Sequence, residues 1–336
     1  MNFNSLKIQS DKKIGITIGD PAGIGPEVVL KAYSNLPFWL KKKIRVFGNI
    51  QYLSQLADQL AIKFNFCPVN KSQQVEDSRD MIVDEIGCPT FSQSDFGKED
   101  PRFAKVAIDA IDLAVERIKS KDIVAIVTAP VNKSSVATID STFKGQSEYL
   151  QRLSATKSIV MTFMTDQLMV ALATTHHPLS DVSRLIRKEM LYQKIRLLDE
   201  SIFKLLKFHP KIAVAALNPH ASDNSVLGNE EADEIIPAIL QAKSEGISIE
   251  GPYPADTLFT AKIRTKFDLI LAMYHDQALI PMKALFFNKT INMTVGLPFL
   301  RVSVDHGTAF DIAGKNRADP AGMIFAIEQS YKLLSD

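Results

Sequence analysis

Three of the six histidines stand in the same context, directly after an apolar run: His176 after "VALATT", His220 after "KIAVAALNP" and His275 after "DLILAMY". Open α/β sheets bind ligands at the carboxyl ends of their strands, where residues far apart in sequence converge. Three neutral imidazoles suit zinc or a similar divalent cation and leave coordination positions open for a substrate. Alternatively, each histidine merely ends a strand and bonds a nearby carbonyl. Two of the three sit in polar clusters, "NPHASDN" and "YHDQ", which shifts the balance toward metal. His177 adjoins His176, but successive side chains of an extended segment point to opposite sides, so both should not face one ion. His209, at the end of an amphipathic stretch before Pro210, reads as a capping or surface residue.

Further groups suit an anion. Lys283 follows "YHDQALIPM", Asn292 lies in "TINMTVG" and Arg301 in "GLPFLRVSVDHGTAFDIAGK". The arginine fork matches a carboxylate or phosphate, and lysine adds a point charge. "DHGTAFDIAG" has the glycines of a loop that brings backbone close to a ligand. "GITIGDPAGIGPEVVLKA", Gly15 to Ala32, reads as strand, glycine-rich turn and a helix opening at Pro26. A helix start offers backbone amides to an anion. Val28 stands where the dinucleotide fingerprint needs its third glycine, so a tight turn explains the stretch equally well.

The elements that must position these residues are short apolar strands alternating with helices. "KIGITIG", "DIVAIVTAP", "SIVMTFM", "LMVALATT", "KIAVAAL", "DLILAMY" and "TINMTVG" are apolar nearly throughout, as in a mainly parallel sheet covered on both faces. "AKVAIDAIDLAVERIKS" puts Val106, Ala110, Ile111, Ala114, Val115 and Ile118 on one helical stripe, and "EMLYQKIRLLDESIFKLLKF" follows the same pattern. The fold class is therefore α/β. With 39 Lys plus Arg against 38 Asp plus Glu, no dense basic face argues for nucleic acid. Cys67 and Cys88 are too few for a disulfide framework and point to a reducing cytoplasm. The N-terminal "MNFNSLKIQSDKK" is polar, and no apolar run approaches a membrane span, so neither export nor a membrane is expected.

In order and over nearly the whole chain, "GDPAGIGPE", "TAPVNK", "TTHHPL", "LNPHAS", "GPYPADTLF", "MYHDQALIPMK" and "GLPFLRVSVDHGTA" resemble the 4-hydroxythreonine-4-phosphate dehydrogenase (PdxA) family. "HGTAFDIAGKNRADP" is similar to the cofactor loop of isocitrate and isopropylmalate dehydrogenases. The resemblance implies two α/β/α lobes around a cleft, as in those enzymes: residues 1–138 plus 310–336 on the cofactor side, and 139–309 with the metal and substrate residues and the dimer contacts. It implies a cytoplasmic homodimer with shared active sites, a small phosphorylated substrate, NAD or NADP, and a divalent metal such as Zn, Mg or Co. By position, His176, His220 and His275 would hold the metal, drawn from both subunits. Lys283, Asn292 and Arg301 would bind substrate, Asp256 and Lys283 would be catalytic, and Asp305, His306, Gly307 and Thr308 would face the cofactor.

The reaction implied is oxidation of 4-phosphohydroxy-L-threonine at C3 with loss of carbon dioxide, giving 3-amino-2-oxopropyl phosphate for pyridoxal 5′-phosphate. One position departs from the pattern: the family's Gly-His-Thr is Gly145-Gln146-Ser147 here, where the histidine and threonine contact substrate. Gln146 and Ser147 are expected to keep that role. Other members of the family act on four-carbon sugar-acid phosphates or cyclic diol carboxylates. A non-catalytic metabolite-binding member is the contrasting alternative, against which the three retained histidines weigh.

Overall fold

The computed structural model describes residues 12–69, 80–286 and 289–335, so the polar N-terminal segment lies outside it up to residue 11. Among the described residues the strands in chain order are β1 (Ile14–Thr17), β2 (Ile44–Gly48), β3 (Asn65–Pro68), β4 (Asp80–Glu85), β5 (Ala125–Thr128), β6 (Val160–Met164), β7 (Met169–Leu172), β8 (Ile212–Ala215), β9 (Ile249–Tyr253), β10 (Leu269–Ala272), β11 (Ile291–Val295) and β12 (Leu300–Val304). Every residue of β1, β5, β7, β8 and β10 is buried, as expected for short apolar strands covered on both faces.

The chain forms two compact units. One comprises, among the described residues, 12–156 together with Leu297–Ser335. Its strands lie in the order β3-β4-β2-β1-β5-β12, and each neighbouring pair is parallel. The helix Pro101–Lys119 begins where the Asp100 carboxylate accepts the Arg102 amide at 2.8 Å, and it ends with Arg117 and Lys119 at the negative end of its dipole. Of its predicted apolar stripe, Val106, Ala110, Ile111, Ala114 and Val115 are buried. Each buried Val or Ile contributes about 1.5–3 kcal/mol.

The second unit is Lys157–Gly296, with strand order β11-β6-β7-β10-β8-β9. β7-β10, β10-β8 and β8-β9 are parallel, whereas β11-β6 and β6-β7 are antiparallel. The turn between β6 and β7 explains the reversal. Thr165 Oγ1 accepts the amides of Gln167 and Leu168, and the Thr165 amide donates to the Leu168 carbonyl. So short a link closes a hairpin, and a parallel crossover needs a dozen or more residues.

The unit boundaries fall at 156/157 and 296/297 rather than at 138/139 and 309/310. Residues 139–156 stay with the N-terminal segment because Tyr149, on the helix Gln146–Leu153, donates its hydroxyl proton to Asp112 at 2.7 Å. Residues 297–309 stay there because β12 pairs with β5. Of the two readings of His209, the surface one holds: it is exposed and caps no helix, since the helix ends at Leu206 and the His209 ring stacks on Phe203 with its Nδ1 2.9 Å from Asp199. Among the described residues no helix is long and apolar enough to cross a membrane.

Candidate active site

The three candidate ligand histidines follow β7, β8 and β10, which are adjacent and parallel in the order β7-β10-β8. Parallel neighbours deliver their carboxyl ends to one edge of the sheet. Two side chains tie those ends together. Thr174 Oγ1 donates to the Met273 carbonyl at 2.7 Å, joining the ends of β7 and β10. Gln277 accepts the Met273 amide through Oε1 and donates through Nε2 to the Ala216 carbonyl, each at 2.7 Å, joining β10 to β8. The His176 and His275 rings consequently lie 5.7 Å apart between centroids, within one chain. His275 opens the helix His275–Phe286, with its Nδ1 2.7 Å from the Asp276 carboxylate. That contact leaves Nε2 as the ring atom for a ligand.

A cavity of about 250 Å³ opens here, lined by Thr175, His176, His177, Tyr274, His275 and Asp276 among others. His177 therefore reaches the same hollow as His176, contrary to the alternation expected of an extended strand. The strand stops at Leu172, and the His177 amide bonds back to the Thr175 carbonyl at 3.1 Å, so residues 175–177 turn. Paired imidazoles fit a divalent cation in donor type. Among the described residues no group of three His, Cys, Asp or Glu side chains is close enough together to hold an ion, and His220 stands at the end of the next strand.

His220 stands on an unusual backbone. From His220 to Ser225 six consecutive residues, none of them glycine, have φ between 44° and 69°. Each non-glycine residue in this left-handed region costs about 1–2 kcal/mol. The Glu231 carboxylate faces that loop: Oε1 accepts the amides of Leu217 at 2.8 Å and Asn218 at 2.7 Å. Oε2 accepts Asn218 Nδ2 at 2.9 Å and the Ser222 hydroxyl. Burial disfavours the Glu231 anion, but the Asn218 amide, the Ser222 hydroxyl and the Asn218 side chain outweigh it and hold the carboxyl below its ordinary value.

A second cluster lies in the other unit. Arg301, on β12, is buried and donates to Thr128 Oγ1 at 2.8 Å, Ser147 Oγ at 3.2 Å and Gln146 Oε1 at 3.3 Å. Burial pushes the guanidinium down to about 10, and the Glu148 carboxylate opposes the shift. Gln146 also donates Nε2 to the Ala129 carbonyl at 3.1 Å, so its amide is held at both ends by protein. Beside Ala129, the Asp20 amide donates to the Pro130 carbonyl at 3.0 Å. Asp20 is fully buried, and desolvation raises its carboxyl to about 6, with the Ala22 amide opposing and the Asp100 and Glu99 charges adding to the rise.

The glycine-rich turn and the predicted cofactor loop meet. The Ile24 amide donates to the Thr308 carbonyl at 2.9 Å, and a Cβ on Gly23 would lie 3.0 Å from that oxygen. The helix starts at Gly25, one residue before Pro26. Asp305 and Thr308 are half-buried, while His306 and Gly307 are exposed. In the second unit Lys283 is exposed on the helix His275–Phe286, and Asp256 is exposed on the helix Ala255–Leu258. Asn292, on β11, has a buried Oδ1 without a hydrogen-bond partner among the described residues. Sequence reasoning did not single out Thr128, Thr174, Glu231 or Gln277. Their only signal there was position, each within a few residues of a strand end or of a candidate ligand loop.

The family model of pyridoxal phosphate biosynthetic protein PdxA matches residues 41–330. A 4-hydroxythreonine-4-phosphate dehydrogenase of Aquifex aeolicus is 38% identical, over 96% of this chain and 99% of the relative. A candidate D-threonate 4-phosphate dehydrogenase of Oceanobacillus iheyensis is also 38% identical, over 95% of this chain and 97% of its own length. The crystal structure of a 4-hydroxythreonine-4-phosphate dehydrogenase from Klebsiella pneumoniae matches with a TM-score of 0.88 at 30% identity, covering 96% of this chain and 99% of that one. The chain thus belongs to the PdxA family and is an oxidoreductase.

Proposed function

We propose that the protein oxidises the C3 hydroxyl of 4-phosphohydroxy-L-threonine with NAD or NADP. The resulting β-keto acid then loses carbon dioxide to give 3-amino-2-oxopropyl phosphate for pyridoxal 5′-phosphate synthesis. The observation that carries this reading is the delivery of His176, His275 and His220 from three adjacent parallel strands, in a chain of this family. Bound by these imidazoles, a divalent cation such as Zn, Mg or Co would supply Lewis-acid polarisation of the substrate oxygens, and a nicotinamide the hydride acceptor.

The chain's own residues bind and orient. Arg301, aimed by Thr128, Ser147 and Gln146, presents a planar fork to the substrate's carboxylate or phosphate. Lys283 and Asn292 would add a cation and an amide, and Asp256 would carry a proton. Gly23 lets the backbone approach Thr308 closely, and Asp305, His306, Gly307 and Thr308 would face the nicotinamide cofactor. A homodimer is the assembly we infer, with the exposed Ile280 and Leu285 on the helix that His275 opens as apolar contacts it would cover.

D-threonate 4-phosphate is the second reading, favoured by the equally similar Oceanobacillus relative and by Gln146-Ser147 in place of His-Thr. The two substrates share the phosphate and the C3 hydroxyl and differ at C2, an ammonium against a hydroxyl. NADH or NADPH formation at 340 nm with each substrate, before and after EDTA treatment, tests both. Metal-dependent turnover of 4-phosphohydroxy-L-threonine with the higher kcat/KM is expected. Preference for D-threonate 4-phosphate would select the second reading, and reduction unaffected by exhaustive metal removal would overturn the role of the histidines.

A further inference from the structure

Runs of left-handed backbone are foreign to L-residues, which enter that region one at a time. The six-residue run from His220 to Ser225 therefore persists only because its surroundings over-determine it. One carboxylate ties the entrance of the run to its middle. Glu231, 2% exposed, receives the Leu217 and Asn218 amides at the entrance to the run, Asn218 Nδ2, and the Ser222 hydroxyl from its middle. The far side closes on itself, with the Leu227 amide on the Ser222 carbonyl at 3.0 Å. Gly228 makes room for the arrangement: at φ 126°, a Cβ there would lie 2.7 Å from both Asn218 Nδ2 and Glu230 Oε2. Glu231 itself opens a π-helical turn, Glu231–Ile235, a local widening that recurs at functional sites.

We propose that Glu231 is the positioning residue for His220 as a divalent-cation ligand: it locks the left-handed loop that carries this imidazole at the carboxyl end of β8. This rests on the reading of the three histidines as cation ligands. Glu231 does not touch the ion. It acts through Asn218 and Ser222, which flank His220 by two residues on either side. Replacing Glu231 by Gln puts an amide N–H against the obligate donor Asn218 Nδ2 and forces the Ser222 hydroxyl to turn and accept, while the backbone contacts of the other oxygen survive.

Two measurements on the full chain test this: Co2+ titration, followed by its visible absorption, and hydrogen exchange of the Leu217, Asn218 and Leu227 amides. Glu231→Gln should exchange those amides at least tenfold faster and bind Co2+ about 10–100-fold more weakly, the range for losing a residue that orients a metal ligand. Ser222→Ala, which removes a single donor, should move both quantities in the same direction by less. Asp233→Asn removes the same charge from an exposed position of the same turn and should move neither. His220→Ala should weaken Co2+ binding with the loop amides still protected.

Co2+ affinity within threefold of the parent in Glu231→Gln, with the loop amides still slow, would overturn the positioning role. Equal Co2+ binding by the parent and His220→Ala would instead sink the cation reading. The two failures are thus distinguishable.

Discussion

Arg301 donates to the Thr128 hydroxyl at 2.8 Å, a bond between two buried side chains on the neighbouring parallel strands β12 and β5. A buried guanidinium that loses an acceptor leaves a charged donor unsatisfied, at a cost of about 1–3 kcal/mol. Thr128→Val should therefore lower stability by that amount and raise KM with little change in kcat, because the fork loses its aim. Thr128→Ser keeps the hydroxyl and should restore both. Chemical denaturation and steady-state kinetics decide it: an unshifted denaturation midpoint in Thr128→Val would show that the bond contributes nothing.

Gln146 spends both ends of its amide on protein, Oε1 on Arg301 and Nε2 on Ala129. A neutral imidazole also carries one donor and one acceptor, but on ring nitrogens spaced differently from the amide atoms, and once protonated it can no longer accept from Arg301. Gln146→His should change kcat/KM by no more than about tenfold, on the order of one hydrogen bond. It should also introduce a pH dependence near about 6.5 that the natural sequence lacks. Rate profiles of the two proteins between mildly acidic and mildly basic pH check this, and superimposable profiles would show that no titrating group has entered the site.

His176 meets His275 ring to ring, whereas His177 merely lines the same hollow. His176→Ala should weaken Co2+ binding by at least about tenfold, and His177→Ala by less than about threefold. Calorimetric titration of the two variants makes the comparison. The reverse order would assign the ligand to His177.

Asp20 predicts a slope in stability against pH. Its carboxyl stands at about 6 in the folded chain against an ordinary 3.8, so between those values the folded state holds the proton and the unfolded state has released it. Stability falls as pH rises through that window, and the loss is complete above about pH 6. Asp20→Asn should match the parent near pH 4 and exceed it at pH 7 by on the order of 2–3 kcal/mol. Urea midpoints at the two pH values measure the difference. A variant no more stable at pH 7 would mean that the carboxylate is compensated when charged.

Each strand read from the sequence is present, because a run such as "IAVA" or "LILA", apolar on both faces, has few stable environments other than the middle of a covered sheet. β9 and β4 carried no comparable signal: "IEGPY" is half-exposed at a sheet edge, and "DMIVDE" starts and ends on acids. The antiparallel β6 and β7 were invisible as such, since pairing direction depends on the length of the connecting turn rather than on strand composition. The histidines were legible from their places after strands. What holds them was not. Glu231 lies eleven residues past His220 in a stretch of ordinary surface acids, and only the left-handed course of the chain turns its carboxylate into an acceptor of four donors.

β12 belongs with β5, yet the whole of Lys157–Gly296 is translated between them. A ribosome emitting the chain therefore exposes the edge of β5, with its run Ala125–Thr128, long before a partner strand exists, and an unpaired apolar edge is a template for aggregation. The interrupting segment is contiguous and can fold as it emerges. The first unit must wait for the last strand, and because that strand carries Arg301, the same late event seats the guanidinium against Thr128 and Ser147. A nascent chain stalled before residue 297 would carry its three histidines but not Arg301, the proposed anchor for substrate, so that on this reading competence to bind arrives in two instalments separated by synthesis.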